Sequence, residues 1–580
     1  MILRRLSLIF LIATFFMGSA QATTDKYSSA LEKKLQTAKA GETVKIWLYF
    51  TDKGKNLRQK FRAVEKTLSD ASYDRRLRTR GAKNLLDQKD LPIDAKYLGQ
   101  VKPHLQNIKV KSRWLNAVSA YVLPNQLSAL ANFSFVRKID IVRHHESERP
   151  AETESLEELE KNKTSGKMLN YGQSFTQNNQ IRVVEMHNMG FDGTGVTIAL
   201  LDAGFNNLQH EAIDHVNVVA AWDFVNGDAV VSDEPGQMGT GNHGTYILST
   251  IAGFHEGELI GPAYQANYLL AKTENTDWER HVEEDDWVAG AEWADSLGAD
   301  IISSSLGYRD GFTNGEADYT WQDMDGNTTI ITIGADIAAS RGIIVITSAG
   351  NSGSIAPPQN TLGAPADGDS VLAIGSVTFN GTRSSFSSVG PTADGRFKPD
   401  VMAMGSQTRC ASATTPGYIN LNGTSLACPL AAGVAALILQ SNPSLTNMEI
   451  LNAMRSTASN ASNPDNLSGW GILDAVSAAA VLTGIENELQ QLPSTIELLS
   501  AYPNPFNPST TIRYRLAESA PIQIDIYNGI GQRIQSLFNG TKGSGEHQVE
   551  WKPTDIASGI YYLRLKAAGN ELTQKLVLLK

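Results

Sequence analysis

Cysteine is scarce in this chain: Cys410 and Cys428 are the two among 580 residues. That excludes a disulfide framework as the source of stability, and it leaves no CxxC pair and no His/Cys zinc spacing. Beyond the N-terminal segment no stretch reaches about 18 uninterrupted apolar residues, so no later segment reads as a membrane span. Basic residues are outnumbered, 50 Lys and Arg against 61 Asp and Glu. A net charge of −11 offers no footprint for a phosphate backbone, and nucleic acid is not an expected partner. What remains is ordinary globular composition, 41% hydrophobic and 19% charged with 49 glycines, enough for sizeable buried cores.

The chain divides by texture. Arg4 and Arg5 precede an apolar run from Leu6 to Met17, and Ala20-Gln21-Ala22 closes it with small residues. Residues 1–22 therefore read as a signal peptide, too short for a comfortable bilayer span. Residues 23–145 read as a small α/β unit. Its strands are expected over Val44–Phe50, Asn116–Leu123 and Val136–Val142, a helix opens at Pro124–Ala131, and the Arg-rich Asp74–Arg80 reads as an exposed helix. Residues 146–167, with Glu152, Glu154, Glu157, Glu158 and Glu160, form a polar linker. Across 168–485 apolar strands (Val196–Leu201, Ala299–Ile302, Ile343–Thr347, Val371–Val377) alternate with Ala-rich helices. That pattern predicts an α/β fold, a parallel sheet with helices on both faces. After a second linker at 486–498, residues 499–580 turn to short alternating strands and predict a β-sandwich.

Three short segments fall where such a sheet presents chemistry. Asp202, followed by Ala203-Gly204, ends an apolar strand at the carboxyl edge where open α/β sheets bind ligands. His243 opens a helix, with Gly241 and Gly244 beside it allowing close approach. Ser425 starts another within Asn422-Gly423-Thr424-Ser425-Leu426-Ala427, with Pro429 expected in the first helical turn. Singly, each has a plainer reading: a strand-end turn, a stray histidine, an N-cap.

Together these boxes resemble, in order, those of the subtilases. Ser305-Leu306-Gly307 resembles that family's substrate-backbone strand, Ala349-Gly350-Asn351 its oxyanion box, and Phe386–Pro391 with Lys398–Val401 a further stretch. The resemblance implies a subtilisin-like serine endopeptidase. In it His243 takes the Ser425 proton, Asp202 orients the imidazole, and Asn351 with the Ser425 backbone N–H stabilises the oxyanion. Ser305, Leu306, Gly307, Ser348, Ala349 and Gly350 would flank the P1 side chain of a protein or peptide substrate, with Gly363 at the pocket floor. None carries charge, which suggests a roomy apolar pocket. The alternative is a catalytically idle secreted binding protein of the same family.

The sequence departs from the family at Ala203 (more often Thr or Ser), at Met404 and at Leu426. The acidic run Glu283–Asp286 reads as a solvated helix N-terminus, or as an outer subsite for basic residues. Asp323-Met324-Asp325-Gly326-Asn327 echoes a calcium loop but lacks its distant Glu and reads as a turn. No cofactor is required; calcium is common among relatives, without ligands assignable here. Residues 23–145, with Asn116–Tyr121, resemble the inhibitory propeptide, making the chain its own partner. Tyr502–Pro508, Ile526-Tyr527-Asn528 and Gly559–Tyr562 resemble the type A sorting domain of type IX secretion. This implies engagement of secretion machinery and an extracellular or outer-surface location.

Cys410 and Cys428 either close a loop of about 17 residues, worth roughly 3 kcal/mol, or pack as buried thiols; the sequence leaves both open. Maturation is expected to cut within or beside 146–167, where a nick is tolerated. N-terminal sequencing of active enzyme should find its start there, and a start before residue 140 overturns the expectation.

Overall fold

The computed structural model describes residues 25–38, 41–142, 169–313, 317–354, 360–483, 496–504, 506–516, 520–529, 531–543, 545–554, 556–567 and 570–579. The leader, the 146–167 linker and most of the 486–498 linker lie outside the described residues. The chain forms two compact units that divide between Thr483 and Gly484.

In the N-terminal segment, β1 (Val44–Phe50) is buried on both faces. Val44, Ile46, Leu48 and Phe50 enter a core with Leu31, Val101, Leu127 and Leu130. Lys45, Trp47 and Tyr49 project the other way, as the period of a strand requires. With β2 (Asn107–Ser112), β3 (Ala117–Val122) and β4 (Val136–Ile141), β1 builds an antiparallel sheet in the order β2-β3-β1-β4. The strand β2 was not foreseen.

The larger part is a seven-stranded parallel sheet. Its strands are β5 (Thr197–Asp202), β6 (Asn217–Asp223), β7 (Asn267–Lys272), β8 (Ile301–Ser304), β9 (Ile344–Ser348), β10 (Val371–Val377) and β11 (Val401–Met404). They lie in the order β11-β10-β9-β8-β5-β7-β6. Adjacent serines of β8 show that helices cover both faces. Ser303 Oγ lies 3.7 Å from Cys428 Sγ, on the helix Thr424–Ser441. Ser304 Oγ accepts from Trp287 Nε1 at 2.9 Å, on the helix Val282–Leu297. This is the subtilisin-like parallel sheet that was expected.

The C-terminal unit has two antiparallel sheets, of three and four strands, enclosing Ile512, Tyr514, Ile524, Trp551, Leu563 and Leu565. Its first strand, Ile496–Tyr502, begins inside the expected linker. Asn504 pins the last strand, Asn570–Leu578: its Nδ2 donates to the Lys575 carbonyl at 2.8 Å and its Oδ1 accepts from Val577 N–H at 2.8 Å.

Two expectations fail where the propeptide-like unit meets the sheet domain. The Arg-rich segment does form a helix, Asp70–Arg80, but Arg75 and Arg76 are 1% exposed. Both guanidinium groups bond Asp295, Arg76 at 2.6 Å, and Arg113 reaches the same carboxylate at 3.2 Å. Arg76 also pairs with Asp90 at 2.7 Å, and Arg341 with Asp87 at 2.7 Å. The acidic run is equally buried. Asp285 accepts from Lys45 Nζ at 2.5 Å, from Trp47 Nε1 at 2.7 Å and from the Ser119 hydroxyl. Asp286 pairs with Lys109 at 3.1 Å, yet burial pushes its carboxyl up to about 7. A charged helix face reads as solvated until an oppositely charged partner covers it, and that partner lies more than 150 positions away in sequence.

Asp323–Asn327 is the expected turn. Asp325 Oδ1 accepts the N–H groups of Asn327 and Thr328 at 2.8 and 2.9 Å, and Asp323 caps Thr320.

Buried pairs contribute little net stability, but removing one partner strands a charge at a cost of about 3–5 kcal/mol. Asp295→Ala should therefore lower the unfolding free energy of the precursor's larger unit by that amount, seen as a lower urea midpoint. An unchanged midpoint would mean that the arginines find other partners.

Candidate active site

The strand order fixes where the site lies. From β5 the chain runs to β6 and β7 on one side, then crosses to β8 and continues to β11 on the other. The crevice at the carboxyl ends of β5 and β8 is thus the topological switch point. Asp202 is the last residue of β5 and Ser305–Gly307 follows β8.

Asp202 is 1% exposed. Its Oδ1 accepts from His243 Nδ1–H at 2.6 Å and from the Ala203 N–H at 2.8 Å. Its Oδ2 is buried without a hydrogen-bond partner among the described residues. Ala203 supplies no hydroxyl there, which is the local consequence of that departure from the family pattern.

His243 is the second residue of the helix Asn242–Ala252. The helix start presses against the turn after β5: a Cβ on Gly244 would stand 2.2 Å from the Gly204 carbonyl oxygen. Thr245 Oγ1 donates to the Asn206 carbonyl at 2.6 Å and locks this approach.

Ser425 is the second residue of the helix Thr424–Ser441 and 3% exposed. Its hydroxyl has no hydrogen-bond partner among the described residues. Catalytic hydrogen bonds are often long before substrate arrives. Pro429 is the sixth helical residue, not part of the first turn. Lacking an N–H, it cannot serve the Ser425 carbonyl four residues back. The Ser305 hydroxyl does so instead, at 2.9 Å.

Asn351 Oδ1 accepts from the Thr424 N–H and hydroxyl, both at 2.9 Å. This ties the Asn351 amide to the start of the helix that carries Ser425. A Cβ on Gly423 would lie 2.6 Å from Ser425 Oγ and 3.7 Å from Asn351 Nδ2. Glycine thus leaves open the space between hydroxyl and amide. Thr424 was not singled out in the sequence, although it stands within the nucleophile box.

The remaining predicted residues also come together. Gly363 N–H donates to the Ala349 carbonyl at 3.3 Å, and Ser348 Oγ donates to the Leu306 carbonyl at 3.4 Å. A Cβ on Gly363 would meet Gly307 Cα at 3.3 Å, and one on Gly350 would meet Ser388 Oγ at 2.9 Å.

Cys410 and Cys428 are both buried and are not joined to each other, so the disulfide is absent. Cys428 Sγ lies among the Ser303 hydroxyl and the Ser304 and Ile346 carbonyls at 3.6–3.7 Å, and burial pushes its thiol up to about 12. It remains a protonated packing residue on the helix that carries Ser425.

Residues 193–471 match the family model described as the subtilase family. Subtilisin DY of Bacillus licheniformis is 33% identical over 283 residues, 48% of this chain and 89% of that protein. The chain belongs to the subtilase family. Subtilisin E of Bacillus subtilis (strain 168) is 33% identical over 304 residues, 52% of this subtilase and 70% of that one. A solved structure, MycP1 from Mycobacterium smegmatis, aligns with a TM-score of 0.42 at 22% identity, covering 58% of this chain and 88% of that chain. Residues 45–158 match the peptidase S8 propeptide domain of Bacteroidota, and 500–579 a secretion system C-terminal sorting domain. The protein is a secreted serine-type endopeptidase, with a subtilase propeptide and a type IX sorting domain.

Subtilases commonly bind calcium. Among the described residues no three His, Cys, Asp or Glu side chains converge to hold an ion, so no ligand set is assigned.

Ser305→Ala should lower kcat by about tenfold with KM within about twofold, because orphaning the buried Ser425 carbonyl displaces that residue. Steady-state kinetics on a peptide amide check this, and an unchanged kcat excludes the brace.

Proposed function

We propose that Asp202, His243 and Ser425 are the catalytic triad of this endopeptidase and that Asn351 forms its oxyanion hole. The observation that carries the reading is the 2.6 Å bond from His243 Nδ1 to a buried Asp202. That bond fixes the tautomer whose other nitrogen can accept a proton. In the reaction His243 Nε2 takes the Ser425 proton as Oγ attacks the scissile carbonyl. The imidazolium, stabilised by Asp202, then returns a proton to the leaving amine. Asn351 Nδ2 and the Ser425 N–H, at a helix start whose first amides lack intrahelical partners, receive the oxyanion. Water attacks the acyl-enzyme by the same route in reverse.

Ser305–Gly307 and Ser348–Gly350 line the P1 subsite through their backbones, with Gly363 at its floor. The Ser305 hydroxyl is already engaged by Ser425. The pairing of Gly307 with Gly363 keeps side chains out of the space between them and favours a sizeable uncharged P1 residue. Until processing, the propeptide stays clamped through Asp285 and Asp295 and keeps the enzyme latent. The C-terminal unit is read by the secretion machinery.

A phosphonylating serine reagent should label the mature enzyme once, at Ser425. Ser425→Ala should lower kcat about a million-fold, the magnitude measured for a subtilisin, a member of this family. Full activity in Ser425→Ala overturns the assignment.

A further inference from the structure

Lys272 is wholly buried beside the site and is not accounted for by the triad. It is the last residue of β7 and pairs in parallel register with Asp202, the last residue of β5. Partners in register project on the same face of a sheet, so the two side chains rise together at its carboxyl edge. The Lys272 stem lies against the turn after β5: its Cδ would be 3.1 Å from a Cβ on Gly204. The Gly204 carbonyl is in turn the group against which Gly244, the neighbour of His243, packs.

The ammonium ties down the segment that leads into the His243 helix. It donates to the Met238 carbonyl at 2.9 Å and lies 3.4 Å from Asp223 Oδ2, a carboxylate itself wholly buried. Asp223 holds the start of the same segment through the Asn226 N–H and Nδ2, at 2.8 and 2.9 Å. Asn226 in turn pairs with the Met238 backbone, accepting its N–H at 3.0 Å and donating to its carbonyl at 3.2 Å. Residues 223–238 are thereby closed into a loop whose two ends meet at Lys272, five residues before His243.

We infer that Lys272 is a positioning residue for catalysis, acting with Asp223 to hold the His243 helix at Asp202 and to balance the local charge. This rests on His243 being the general base. The elements packed around that imidazole carry these charged groups. β5 contributes Asp202; β7 and β6 contribute Lys272 and Asp223 as a compensated pair. The preceding loop contributes Asp233, which accepts from the Gly241 N–H. The loop after β7 contributes Asp277, which accepts from the Gly239 N–H at 2.9 Å, whereas Arg409 of the hairpin strand Thr408–Ala411, which packs on the far end of the His243 helix, is paired with Glu258 at 2.8 Å. The helix Thr424–Ser441 contributes no charge. Losing either member of the Lys272–Asp223 pair therefore changes the field at His243, and the two losses have opposite signs.

The experiment measures kcat and kcat/KM against pH on an uncharged peptide amide for mature wild type, Lys272→Met, Asp223→Asn and the double variant. An NMR titration of the His243 ring in Ser425→Ala runs alongside, with the same substitutions. Lys272→Met removes a positive charge and favours the imidazolium, so the acid limb and the ring titration move to higher pH by roughly a few tenths of a unit. Asp223→Asn moves both to lower pH by a similar amount, and the double variant returns them close to wild type. The single variants lower kcat by roughly tenfold with KM little changed. Because the double variant leaves no lone buried charge, it also serves if a single variant fails to fold. Acid limbs that stay fixed, or that shift in the same direction in both single variants, overturn the proposal. Retained activity in His243→Ala would instead overturn the triad on which it rests.

Discussion

The catalytic unit depends on how closely the start of one helix can approach the end of one strand. A Cβ on Gly244 would stand 2.2 Å from the Gly204 carbonyl oxygen, and one on Gly241 2.8 Å from the Phe205 nitrogen. Side chains at either place would push the helix away and stretch the 2.6 Å bond between His243 and Asp202. Gly204 also has φ +120°, a conformation that a side chain disfavours. The glycines around the Asp and His boxes are there because backbone must touch backbone, and the orientation of the imidazole follows from that contact.

Ser425 is held by a comparable exchange of backbone partners. Pro429 withholds an N–H from the Ser425 carbonyl, and a hydroxyl from β8 replaces it. Thr424 spends its N–H and hydroxyl on Asn351, which aligns an amide with the helix start. Beneath them Cys428 is buried and protonated, so its sulfur serves packing.

The propeptide contact follows a different logic. Its charges are buried in pairs and triples, as where Asp295 takes three guanidinium groups. Such clusters contribute modestly to net stability because desolvation offsets attraction. They do penalise any arrangement that leaves one member alone, so they favour a single docked geometry over sliding alternatives. Lys45, Trp47 and Ser119 come from two strands in register, Trp47 opposite Ser119, and meet one carboxylate. That convergence depends on the pairing of β1 with β3, which brings the three side chains to one side of the propeptide sheet.

Sequence alone determined the parallel α/β class, because apolar strands alternating with Ala-rich helices must be buried on both faces. It determined the order of the chemical boxes too, because glycine beside Asp202, His243 and Ser425 marks places where no side chain fits. Strand positions such as Val44–Phe50 and Val371–Val377 were legible for the same reason: their burial follows from local composition. Tertiary structure decided what depends on partners distant in the chain. The Arg75–Arg76 helix face and the Glu283–Asp286 run are locally hydrophilic, and burial becomes tolerable only because distant partners meet them, Asp295 for the arginines and Lys45 and Lys109 for Asp285 and Asp286. That Cys410 and Cys428 form no disulfide depends on where a β-hairpin and a helix put their sulfurs, a distance absent from the sequence. Lys272 and Ser305 acquire their roles in the same way, from neighbours that the sheet register and a missing proline N–H place beside them.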